Sequence, residues 1–152
     1  MDTATLQKHF KVIRIIWLAM LASLGIYLIV CLAAGNAIPR EVDSDAPLDL
    51  IRRILIGISA VELIFIDIYR KRTLKPRPGL TQAVVVQKYS LTSLVSCAVA
   101  ESIGIFGMVL YFLGDSPVYL YFLIAIAAMS MLYYRPKFVT LEALVRAAER
   151  SI

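Results

Sequence analysis

The sequence predicts an all-α integral membrane protein: four transmembrane helices, both termini cytoplasmic, and a C-terminal amphipathic surface helix. Three observations carry this. Sixty per cent of the 152 residues are hydrophobic, and the mean hydropathy is +0.77. The apolar residues fall in runs about as long as a hydrocarbon core of roughly 30 Å requires, near 20 residues at 1.5 Å each. The segments between the runs hold the prolines and most of the charge.

The first span is expected at about 12–34, because no charge interrupts 15–39. Ala19, Ser23 and Gly25 keep one side of it small enough for close helix approach. Lys8, Lys11 and Arg14 precede it as they would a secretory signal, but the run is too long for a signal core and reads as a retained anchor. An acidic loop follows, with Glu41, Asp43, Asp45 and Asp49, broken by Pro39 and Pro47. Asp45 and the early Pro47 give a helix start.

The second span, about 50–69, is the least typical, with Arg52 and Arg53 at its opening and Glu62 and Asp67 inside it. Without it, the basic loop that follows would lie on the wrong side. That loop holds Arg70, Lys71, Arg72, Lys75 and Arg77, expected at lipid headgroups, with Pro76, Pro78 and Gly79 as helix breakers. The third span covers about 90–113, and Gly114, Asp115, Ser116 and Pro117 form a tight turn into the fourth, about 118–134. Residues 1–136 thus form the membrane domain. Over 137–152, Phe138, Leu141, Leu144, Val145, Ala148 and Ile152 recur at helical spacing, which predicts a helix lying on the membrane or on a partner. Glu142 and Arg146, four apart, sit on its polar side.

Orientation follows from the positive-inside rule. With both ends in the cytoplasm, only Arg40, Arg52 and Arg53 of the sixteen Lys and Arg face outward. The location expected is the cell (inner) membrane. The net charge of +5 therefore belongs to lipid surfaces rather than to nucleic acid, for which no recognition signature occurs. Two cysteines, Cys31 and Cys97, make no disulfide framework, and one histidine, His9, makes no metal site. No phosphate loop, metal-ligand cluster or nucleophile–base pair points to an enzyme, and no cofactor is expected.

The chemistry is expected at the acids inside the spans. A charge at the bilayer centre costs several kcal/mol, at least about 2.5 on insertion scales. Glu62 lies twelve residues from Leu50, and Glu101 lies thirteen from Gly114. Both should then sit roughly 18–20 Å below the outer surface. In an antiparallel hairpin they would be level, able to share a proton or coordinate a cation with Ser59, Ser93 or Ser96. Glu101 has a plainer alternative as a hydrogen-bonded fixer of helix register, and Glu62 as a partner for an arginine of another subunit. Asp67 should pair with Arg70 or Lys71 at the interface, and Arg52 and Arg53 with Asp45 and Asp49 or with lipid phosphate. Ser96, Ala100, Gly104 and Gly107 form a small-residue seam that admits another backbone beside Glu101.

The eleven residues from Ala100 to Leu110, with Glu101 after an alanine and Phe106-Gly107 following, resemble the carboxylate helix of the proteolipid (c-type) subunits of rotary ATPases. The resemblance implies that Glu101 is a proton- or sodium-binding carboxylate, with the basic loop in the cytoplasm. The function expected is a small membrane subunit that binds or relays a proton or cation at Glu101. The alternatives are a structural accessory subunit of a larger membrane complex and a small homodimeric proton-coupled transporter. Membrane lipids and either a homo-oligomer or other membrane subunits are the partners expected.

Overall fold

Helix α3 (Gln82–Phe112) is the hub: α1 (Thr3–Ala34), α2 (Asp45–Thr73), α4 (Pro117–Tyr133) and α5 (Phe138–Glu149) all pack against it. The computed structural model describes residues 3–35, 45–75 and 81–149. The hub position has a local cause. Ala100 and Ile103 are fully buried, and Gly104 and Gly107 let neighbours come close. A Cβ at Gly107 would lie 3.3 Å from the Leu120 carbonyl oxygen, so the α4 backbone itself fills that gap. A Cβ at Gly104 would meet the end of Leu24 on α1. The seam expected beside Glu101 is thus occupied by α4 and α1.

Helices α1, α2 and α3 begin five to nine residues before the apolar segments that mark them in sequence, and α2 also ends later, whereas α4 matches its expected segment to within one residue at each end. Hydropathy registers where the environment changes, whereas the backbone hydrogen bonds continue into the polar layer. Among the described helices α1 and α3 are long and apolar enough to cross a membrane. A third candidate arises if α4 and α5, bent by 44° at the break between them, count as one. The charges of α2 keep it out of this count. Yet from Ile54 to Phe65 every exposed residue of α2 is apolar, including Ile58, Val61, Ile64 and Phe65.

The turn between α3 and α4 is built as the sequence implies. Gly114 adopts φ 90°, and its N–H donates to the Tyr111 carbonyl while that of Asp115 donates to Leu110, which closes α3 as a Schellman motif. Ser116 then caps α4, accepting from the Val118 N–H, with Pro117 in the first turn. Asp115, 3% exposed, receives Arg52 of α2 through Nε and Nη2, each at 2.7 Å. Arg52 also meets Asp49 at 3.2 Å and lies over the Tyr119 ring. Arg53 pairs with Asp49. Asp49 was among the partners expected; Asp115 was not, because its depth depends on the turn.

At the opposite end, Trp17 of α1 donates to the Met131 carbonyl, and Tyr89 of α3 both donates to the Lys137 carbonyl and accepts from its N–H. Here the structure departs from the expected surface helix. Leu141, Val145 and Ala148 of α5 are buried with Leu6 and Ile13 of α1 and Val85, Val86 and Tyr89 of α3. The apolar face assigned to a membrane or partner is covered by the chain's own helix extensions. Periodicity reveals such a face, but not what covers it.

Candidate functional site

On α1, Ser23 and Tyr27 are four apart and share one helix face, the spacing that places side chains above one another. That face meets α3 at Glu101. Ser23 Oγ lies 2.5 Å from Glu101 Oε1, and the Tyr27 hydroxyl donates to the same oxygen at 2.7 Å. Ser23 Oγ is also 2.7 Å from the Met20 carbonyl oxygen of its own helix. One carboxyl oxygen, two hydroxyls and a backbone carbonyl therefore form a connected polar cluster, and its Met20 and Tyr27 pack against the core that includes buried Leu24, Ala100 and Ile103. All four residues of the cluster are partly buried.

Glu62 forms a second, smaller cluster. Ser102 Oγ is 3.0 Å from Glu62 Oε1 and 2.6 Å from the Val99 carbonyl oxygen. The other carboxyl oxygen of Glu62 is buried and has no hydrogen-bond partner among the described residues. Ser102 adjoins Glu101 in the chain, so the two acids lie at nearly one level along α3. Their hydrogen bonds diverge: Glu101 turns to α1, whereas Glu62 reaches α3 from α2.

Of the other serines expected at the site, Ser93 is buried and makes no hydrogen bond to either acid, and the remaining two bond within their own helices. Ser59 donates to the Leu55 carbonyl and Ser96 to that of Thr92, each within its own helix. This i−4 bonding is the ordinary fate of a hydroxyl in an apolar helix. Ser23, read from sequence only as a small packing residue, and Tyr27, not singled out at all, take their place. A signal for both exists, since they are the hydroxyl residues of an otherwise apolar run and share one face. Which neighbour that face would meet depends on α1 packing on α3.

Among the basic residues expected at headgroups, Arg70 donates to the Tyr134 carbonyl and lies over its ring, and Lys71 pairs with Asp67 at 2.6 Å. The Asp67 partner expected from sequence is therefore Lys71, whose amino group is held above its ordinary pKa by that hydrogen bond. Arg72 and Lys75 are exposed. Arg77 lies outside the described residues.

Among the described residues no three His, Cys, Asp or Glu side chains gather as a metal site would require. The donor set at Glu101 is one carboxyl with two hydroxyls, suited to a proton and sparse for a cation that takes six or more oxygen ligands. Comparisons with family models, curated proteins and solved structures find no match.

Proposed function

We propose that the chain is a small membrane protein of four spans, with both ends cytoplasmic, that takes up and releases a proton at Glu101. The observation that carries this reading is the double role open to Ser23. When Glu101 is a carboxylate, Ser23 and Tyr27 both donate to Oε1. When Glu101 is an acid, its proton goes to Ser23 Oγ, and Ser23 donates instead to the Met20 carbonyl. Tyr27 donates in both states. No heavy atom need move, so either form keeps Oε1 and the two hydroxyls partnered in a medium where an orphan is costly. Ser102 offers Glu62 a similar exchange with the Val99 carbonyl, and Glu62 is the second candidate in the relay.

Four spans are supported by the outward face of α2, apolar from Ile54 to Phe65, with Glu62 hydrogen-bonded to α3. An averaged hydropathy hides that division. The orientation is supported by charge. Arg52 and Arg53, at the turn end, are paired with acids, whereas Arg70, Arg72, Lys75, Arg135 and Lys137 gather at the other end. The cell (inner) membrane and a role without group-transfer chemistry fit the same reading. The local resemblance of 100–110 to a proton-carrying helix points the same way.

The structural reading, an accessory subunit in a larger membrane complex, has its own support: the Tyr27–Glu101 hydrogen bond also ties α1 to α3. Labelling with a hydrophobic carbodiimide, which attacks protonated carboxyls, separates the two. Proton binding requires modification at Glu101 that declines as pH rises, and loss of proton uptake in Glu101→Gln with the fold retained. Unmodified Glu101 at every pH would leave only the structural staple.

A further inference from the structure

Three cations meet at the end of the molecule opposite the α3–α4 turn without an acid to answer them. Arg14 of α1, and Arg135 and Lys137 of the link between α4 and α5, line one cavity with Phe10, Trp17 and Pro136. Its volume is about 330 Å³, within the range of small-ligand sites, about 300–1,000 Å³. Of the other described arginines and lysines, Arg52 and Arg53 are matched with Asp49 and Asp115, Lys71 with Asp67, and Arg146 with Glu142. Lys8, Lys11, Arg72, Lys75 and Lys88 form no ion pair, but they line no cavity with one another as these three do. No carboxylate pairs with Arg14, Arg135 or Lys137 among the described residues.

The cavity walls are fixed by hydrogen bonds that do not use these charges. The Trp17 indole N–H is held by the Met131 carbonyl at 3.0 Å. The Tyr89 hydroxyl grips both backbone groups of Lys137, at 3.0 and 2.8 Å. The elbow that presents Arg135 and Lys137 is thereby set against α1, and the site is formed before any ligand arrives. Its level is defined by sequence: the charge-free run of α1 begins at Ile15, one residue beyond Arg14. The apolar residues leading away from it, Ile15 and Leu18 on α1 and Leu132 on α4, are about half exposed.

We propose that this cavity binds a phosphate-bearing anion, supplied by the headgroup of an anionic phospholipid whose chains lie along Ile15, Leu18 and Leu132. Two guanidinium groups and an ammonium suit a phosphodiester, the guanidinium groups through paired N–H donors. Trp17 sits at the headgroup level where indoles concentrate. The proposal rests on the membrane reading of α1 and α3 and is independent of proton binding at Glu101.

Trp17 is the only tryptophan of the chain, so its fluorescence reports on this cavity alone. The full-length protein would be placed in phosphatidylcholine vesicles containing either brominated phosphatidylglycerol or brominated phosphatidylcholine at equal mole fraction. The expected result is stronger quenching by the anionic lipid, with the preference falling about fivefold for each of Arg14→Gln, Arg135→Gln and Lys137→Gln. Lys11→Gln, which removes a charge outside the cavity, should leave the preference unchanged, and circular dichroism would confirm that the variants remain helical. In detergent, a Trp17 response to inorganic phosphate alone, lost in the same three variants, would assign the same site to a soluble anion. Equal quenching by both lipids without a phosphate response, or an equal loss in Lys11→Gln, would overturn the proposal.

Discussion

Tyr27 of α1 donates its phenolic proton to Glu101 of α3 across 2.7 Å, joining two helices whose sequences give no sign that they are neighbours. The bond makes a carboxyl inside an apolar bundle part of a polar cluster. It also makes α1, free of charge from Ile15 to Ala34, a component of the site.

Tyr27→Phe keeps the ring and removes only this donor. Hydrogen bonds between membrane helices average about 0.6 kcal/mol with a maximum near 1.7, so the fold should survive with a loss in that range. Unfolding in mild detergent measures it. Carbodiimide modification of Glu101 should increase, since one of the two hydroxyls that engage Oε1 is gone. Unchanged stability and unchanged labelling would mean that the bond does not form in the membrane.

Asp115→Ala should lower the melting temperature well beyond Arg53→Ala. Asp115 has a side chain 2% exposed and takes both prongs of Arg52, whereas the side chain of Arg53 is 77% exposed. Removing the buried partner leaves Arg52 without its closest acid, while an exposed pair contributes little. Arg52→Ala combined with Asp115→Ala should be less damaging than the sum of the two single changes, because both act on one contact.

Gly107→Val should destabilise where Gly25→Ala does not. A Cβ at Gly107 would lie 3.1 Å from the Leu123 Cβ and 3.3 Å from the Leu120 carbonyl oxygen, and backbone cannot step aside. Overpacking of this kind costs about 1–3 kcal/mol. Gly25 has nothing within 4 Å of the position a Cβ would take. A thermal melt of the three proteins in one detergent gives the order directly.

Leu141→Ala should loosen α5 from the extensions of α1 and α3. Leu141 is fully buried, and truncations of this kind cost about 2–5 kcal/mol. Val139, 76% exposed on the same helix, should tolerate the same change within about 0.5 kcal/mol. Faster amide exchange over Phe138–Glu149 in the Leu141 variant is the signature to measure.

How far sequence reached can be judged at particular residues. The turn at Gly114–Pro117, the helix start at Asp45 and the ion pairs of Asp67 and Glu142 are local, set by residues at most four apart, and could be read directly. Glu101 stood out because an acid in an apolar run is conspicuous wherever it points. Its partners were a different matter. Rotation about a helix axis is fixed by packing, so nothing in the run 90–113 says whether Glu101 turns to Ser59 and Ser96 or to Ser23 and Tyr27. The same ignorance of tertiary contacts gave α5 an outside partner when Leu6, Ile13 and Val85 already cover it. Asp115 shows the effect from the other side: a turn residue became a buried anion only once Arg52 was brought to it.

The most direct test is infrared difference spectroscopy of the protein in lipid, recorded between pH values across which it stays folded. Proton exchange at Glu101 predicts a carboxylic-acid carbonyl band that disappears as pH rises, is missing in Glu101→Gln, and shifts in frequency in Tyr27→Phe. A spectrum with no pH-dependent band assignable to Glu101 would contradict proton binding and leave the carboxyl as a staple between α1 and α3.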